Sequence, residues 1–116
     1  MGKLLFVYGT LKRGQPLHYL LASARFLGVG RVNGYALYDL GEYPAARPAE
    51  PQDFVRGEIY EVPEEIIPIL DEVEDEYHRE RARVETDSGA ILEVELYVFN
   101  EELPEEQRLP EGEWPF

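Results

Sequence analysis

The chain has 116 residues, the size of one compact domain with one continuous core. With 44% hydrophobic and 30% charged residues it reads as globular, and no apolar run reaches the roughly 20 residues that span a bilayer, which argues against a membrane role. A formal charge of -13 would repel a phosphate backbone, and with no cysteine and only two separated histidines, His18 and His78, nucleic acid, disulfides, metal and redox cofactors are all poor expectations.

The charge is uneven. Residues 1–60 carry seven cations against five anions, and residues 61–116 carry four against nineteen, so cations able to hold an anionic ligand lie mainly in the first half. Lys3 leads directly into a strand-like run rather than a secretory signal, which predicts a cytoplasmic protein.

In chain order, KLLFVYG reads as a strand apolar on both faces, and therefore as a central one. QPLHYLLAS places Pro16 at a first helical position and Leu17, Leu20 and Leu21 at helical spacing, predicting a short helix. FLGVGRVNGYALYDL mixes β-branched and aromatic residues with Gly28, Gly30 and Gly34, predicting curved strands with a bulge or tight turn. EYPAARPAEP reads as a proline-rich loop and FVRGEIYEV as a further strand.

PEEIIPILDEVEDE is the strongest helical segment, with Pro68 confining the regular helix to a start near Glu65. YHRERARVET and AILEVELYVF read as a hairpin around a tight turn, with Glu93, Glu95 and Tyr97 on a wet face. NEELPEEQRLPEGEWPF, residues 100–116, reads as an irregular acidic, proline-rich C-terminal tail to a single domain spanning 1–116, with Trp114 and Phe116 available to dock it. The fold class predicted is α+β, a strongly curved sheet with short flanking helices.

Two stretches carry possible chemistry. In YGTLKRG, Gly9 either supplies an unusual backbone angle at an ordinary strand end or lets a ligand approach the main chain, where N–H groups could hold a carboxylate or a developing oxyanion. It is not a nucleotide-binding P-loop, because Gly14 is followed by Gln15 and Pro16. In DEVEDE, a helical wheel puts Glu74 within the apolar sector of Ile66, Ile67, Ile69, Leu70 and Val73, with Asp71 at its margin and the other acids pointing away. Desolvation and neighbouring like charges would raise the Glu74 pKa toward that of a general base; a salt bridge to Arg79 or Arg81 is the competing account. Tyr43 and Arg47 of the proline-rich segment either line a pocket or belong to a surface loop.

In order along the chain, Tyr8-Gly9-Thr10-Leu11, GEIYEV, LDEVE and YHR resemble the gamma-glutamylcyclotransferase-like family, which includes AIG2-like and BtrG-like proteins and gamma-glutamylamine cyclotransferase. LGEYPAARP and GEWPF are also similar to family segments, so the resemblance covers most of the chain. It implies a small curved mixed β-barrel and release of 5-oxoproline from gamma-glutamyl compounds without a cofactor. It also implies that Glu74 is the catalytic acid/base and that Tyr8, Gly9, Thr10 and Leu11 form the substrate-holding loop. Lys12 and Arg13 would add charge there, and Tyr43, Tyr77 and Arg79 would join the substrate site. The alternative is a non-catalytic protein that binds a small carboxylate through the same loop.

Overall fold

The computed structural model describes residues 2–115. Its strands are β1 (Gly2–Val7), β2 (Arg25–Asn33), β3 (Tyr35–Asp39), β4 (Pro44–Pro48), β5 (Phe54–Pro63), β6 (Tyr77–Thr86), β7 (Ile91–Phe99) and β8 (Arg108–Leu109), with one α-helix, α1 (Ile67–Val73). Five strands close a mixed barrel in the order β1-β5-β2-β6-β7, and β3 carries β4 and β8 on its two edges in a separate small sheet.

The continuous apolar run of β1 follows from its position. It pairs antiparallel with β5 over its whole length and parallel with β7 at Leu5↔Glu95 and Phe6↔Leu96, closing the barrel. Successive side chains alternate between faces. Phe6 packs with Val32, Val55, Ile59, Val84, Val94, Leu96 and Val98 from all five barrel strands. Leu5 and Val7 face the other way, into a second layer with Leu11, Leu21, Tyr60, Ile67, Leu70 and Tyr97 beneath α1. Both faces of β1 are therefore dry, as its sequence requires.

Curvature enters where glycine permits it. The pairing of β2 with β5 shifts between Phe26 and Gly28, and Gly28 has φ 144°, a value open to a residue without Cβ. The β6–β7 hairpin forms as expected, closed by Thr86 N–H to Ala90 O at 2.8 Å. Tyr97, expected on the wet face of β7, is instead buried beneath α1.

The proline-rich segment is not a loop. Pro44–Pro48 forms β4, paired along its length with β3. It is an edge strand with proline at its first and last positions, where missing N–H groups cost few ladder bonds, and Ala45 and Ala46 are fully buried between them. The segment after Gln15 is likewise not an α-helix. It is a series of i→i+3 turns with a 3-10 helix at His18–Leu21, tied to the preceding turn by Leu17 N–H to Thr10 O at 2.9 Å and by the His18 ring to Leu11 O at 2.9 Å.

The acidic helix is shorter than its apolar pattern. A 3-10 turn at Glu64–Ile66 precedes α1, Pro68 sits in its first turn, and Glu74 is its C-cap. The buried face is also narrower than the apolar sector read from the sequence: Ile67 and Leu70 are buried, but Ile69 and Val73, further round the same helix, are exposed.

The acidic tail is less irregular than expected. It contains a 3-10 turn at Glu105–Gln107, then β8 pairs with β3, and Arg108 holds Asp53 at 2.6 Å. Gly112 O accepts from Arg56 N–H at 2.7 Å, and Trp114 enters the barrel-side core. Phe116 lies outside the described residues. Replacing Trp114 with Ala should destabilise the protein by about 3–5 kcal/mol in urea unfolding; a loss of only a few tenths would show that the tail does not contribute to the core.

Candidate active site

Tyr8 follows directly on β1, and its hydroxyl reaches across the barrel end. It donates to Tyr97 O at 2.6 Å and accepts from Ala46 N–H at 3.1 Å. The turn after it is thus held between β7 and β4. Gly9 does not have the unusual backbone angle considered from sequence, and on the side where a Cβ would stand it meets Pro44 Cγ at 2.5 Å and Cδ at 2.6 Å. It is small because the turn packs on β4.

The hydrogen bonds that shape the turn are donated by Lys12 N–H to Gly9 O at 2.9 Å, by Arg13 N–H to Glu58 at 2.9 Å, by Gln15 N–H to Lys12 O at 3.0 Å, and by Leu17 N–H to Thr10 O. The N–H groups of Gly9, Thr10 and Leu11 are not among these donors. Those three residues line a cavity of about 40 Å³, room for a few water-sized groups. Its wall is completed by Phe6, Val7, Tyr8, Tyr43, Pro44, Glu74, Tyr77 and Tyr97.

Glu74 arrives there from the far side of the sequence. Its N–H continues α1 to Leu70 O at 2.9 Å, while its carbonyl accepts from Tyr77 N–H at 3.0 Å. That turn brings Glu74 and Tyr77 to the same wall. Burial, then the charge of Asp75, pushes the Glu74 carboxyl up to about 7. Among the described residues its carboxylate has no hydrogen-bond or ion-pair partner, so the salt bridge to Arg79 or Arg81 does not form.

The tyrosines around it have committed their protons. Tyr8 donates to Tyr97 O, Tyr77 to Pro44 O at 2.8 Å, Tyr97 to Asp71 Oδ1 at 2.8 Å, and Tyr43 to Glu76 Oε1 at 3.1 Å. Burial pushes Tyr8, Tyr77 and Tyr97 well above the ordinary phenol range, and the bond to Glu76 raises Tyr43. Among the described lining residues, Glu74 is therefore the group that titrates near neutral pH.

The cations expected at the site are directed elsewhere. Lys12 Nζ donates to Trp114 O at 3.0 Å, the Arg13 guanidinium lies 4.3 Å from the centre of the Phe26 ring, and Arg79 forks onto Asp71 at 2.9 and 3.0 Å while also holding Glu95. Arg47 donates to Phe99 O at 2.8 Å. None of the four lines the cavity, because each has a nearer acceptor or ring. Tyr8, Gly9, Thr10, Leu11, Tyr43, Glu74 and Tyr77 do line it. Tyr97 and Pro44 escaped the sequence reading; the available signal was an aromatic residue alternating with glutamates on β7.

Comparisons with known proteins show the family and the fold. A family model described as gamma-glutamyl cyclotransferase, AIG2-like, matches residues 5–116. The chain is 36% identical over 118 residues to a Vibrio cholerae protein carrying a provisional gamma-glutamylcyclotransferase name, covering 98% of this chain and 96% of that one. It is 29% identical to the Escherichia coli gamma-glutamylcyclotransferase family protein YtfP, covering 95% and 94%. Its fold superposes on an AIG2-like protein from Mus musculus with a TM-score of 0.83 at 31% identity, covering 97% of this chain and 88% of that one.

The raised pKa has a thermodynamic signature. Between the ordinary value of 4.5 and about 7, the folded chain holds a proton on Glu74 that the unfolded chain has released, so this contribution to stability is lost as pH rises. Glu74→Gln removes that dependence. Relative to wild type, its stability should rise by on the order of 2 kcal/mol between about pH 5 and about pH 8, measured by urea unfolding. A constant difference across that range would mean that Glu74 titrates normally.

Proposed function

We propose that this chain, which belongs to the gamma-glutamyl cyclotransferase, AIG2-like, family, releases 5-oxoproline from a small gamma-glutamyl amine or amino-acid adduct. The observation that carries the proposal is one small cavity lined both by Gly9, Thr10 and Leu11, whose N–H groups are not among the donors that shape their turn, and by the half-buried, unpaired carboxylate of Glu74.

The substrate supplies its own nucleophile. Its α-amine attacks the γ-carbonyl carbon, forming the C–N bond of a five-membered ring and placing negative charge on the carbonyl oxygen. Tethering makes this step effectively unimolecular once the chain is folded into the attacking geometry. Glu74 accepts the proton shed by the amine as the bond forms. The tetrahedral intermediate then collapses, the bond to the leaving nitrogen breaks, and Glu74 returns the proton to that nitrogen. A group with a pKa of about 7 is suited to both halves, since near neutrality neither form is scarce.

The N–H groups of Gly9, Thr10 and Leu11 would hold the oxyanion or the α-carboxylate, with no cation assisting inside the cavity. Tyr77 and Tyr97, with their protons engaged elsewhere, would shape the apolar wall and limit the access of water to Glu74. The reaction as written needs no cofactor. The half-buried carboxylate disfavours the simple carboxylate-binding alternative, because it opposes an anionic ligand that brings no amine for it to act on.

Incubation with a panel of gamma-glutamyl amines and dipeptides should yield 5-oxoproline, and Glu74→Gln should lower kcat by ~10²–10⁴-fold. In wild type, kcat/KM should rise with pH through an inflection near 7 as Glu74 becomes ionised. Unchanged turnover in Glu74→Gln would overturn the mechanism, and ligand binding without turnover on any substrate would favour the binding alternative.

A further inference from the structure

Asp71 sits three residues before Glu74, on the last turn of α1. Arg79 of β6 grips its carboxylate through two bonds, Nε to Oδ1 and Nη2 to Oδ2, and the Tyr97 hydroxyl of β7 adds a third. Arg79 also holds Glu95 of β7, whose other oxygen pairs with Lys3 of β1 at 3.2 Å. The end of the helix is thus strapped to three consecutive barrel strands.

α1 has need of such a strap. Seven residues fall well below the roughly 12–15 at which a helix begins to hold by itself, and no side chain caps either end. Only Ile67 and Leu70 are buried along it. Glu74 follows at the C-cap with φ -95° and ψ 51°, so its carboxylate is aimed by wherever the last turn rests.

We propose that Asp71 is a positioning residue for Glu74: the fork from Arg79 and the hydroxyl of Tyr97 fix the last turn of α1 on the barrel and keep the Glu74 carboxylate inside the cavity. This rests on the reading of Glu74 as the acid/base. The ion pair is partly exposed and adds little to global stability; what it fixes is direction. The groups acting on Glu74 are Asp75 beside it, Tyr8 after β1, Tyr77 of β6 and Tyr97 of β7, and none is a cation. Its ionisation is therefore governed by burial, and any movement toward water should lower its pKa.

The test is a ¹³C NMR titration of the Glu74 carboxyl, assigned with Glu74→Gln, in wild type, Asp71→Asn, Tyr97→Phe and Val55→Ala. Asp71→Asn should lower the Glu74 midpoint by about one pH unit or more, and lower kcat about 10-fold with little change in KM. Tyr97→Phe keeps the Asp71 charge and the aromatic ring while removing one donor, so a smaller shift in the same direction separates positioning from loss of a nearby charge. Val55→Ala, a core truncation away from the cavity, should destabilise the fold and leave the titration in place.

A wild-type midpoint in folded Asp71→Asn overturns the proposal, as does one in Tyr97→Phe should Asp71→Asn fail to fold, or an equal shift in Val55→Ala. Because the titration does not require turnover, the two readings can fail separately. A shifted midpoint in a protein that releases no 5-oxoproline from any substrate would remove the enzyme and leave the strap; an unmoved midpoint in an active enzyme would do the reverse.

Discussion

The Tyr8 hydroxyl is the contact on which the site is assembled. One phenol oxygen joins the carbonyl of Tyr97 on β7 to the N–H of Ala46 on β4, and so fastens the small β3–β4–β8 sheet to the end of the closed barrel. Both bonds are buried, where an unsatisfied carbonyl or N–H is expensive, so the arrangement has little freedom. Because Tyr8 is fixed, the turn after it must run against Pro44, and only glycine leaves room for that approach. The cavity is the space that remains beside this junction.

Into that space the fold places one carboxylate and withholds every nearby compensating charge. Lys12, Arg13, Arg47 and Arg79 each have a carbonyl, ring or carboxylate of their own. The surrounding phenols are turned toward acceptors in the framework. The native state is less stable for it, since a partnered or solvated carboxylate would ionise freely. What is gained is a group that changes protonation state near neutrality in a chain that is otherwise strongly anionic. Strain of this electrostatic kind at a single point is expected where chemistry is done.

Much of the framework was legible along the chain. The doubly apolar run of β1 announced a central strand, glycines in β2 announced curvature, and the alternation after Tyr77 announced a hairpin. Other elements were obscured by local composition. Proline in PAARP suggested a loop, yet an edge strand tolerates proline at its ends. The Leu spacing after Pro16 suggested an α-helix, but the segment closes i→i+3 bonds instead, and a period near three places leucines on one side almost as well as one of about 3.6 does. Glu74 was singled out by a wheel that places it between Ile67 and Leu70, the two residues α1 buries, and its N–H to Leu70 O keeps it on that face at the C-cap; the same wheel misjudged Ile69 and Val73, which are exposed.

The sequence by itself determined the doubly apolar β1, the curved β2, the β6–β7 hairpin, and which loop and acidic run deserved chemical scrutiny, because periodicity and residue type are local properties of a chain. The resemblance of its ordered motifs to a known family supplied the pairing of that loop with Glu74. Only the tertiary structure decided that the cations turn away, that Tyr97 and Pro44 complete the wall, and that Asp71 and Arg79 strap the helix end in place. These depend on which acceptor lies nearest after distant strands have closed into a barrel, and that distance has no counterpart in spacing along the sequence.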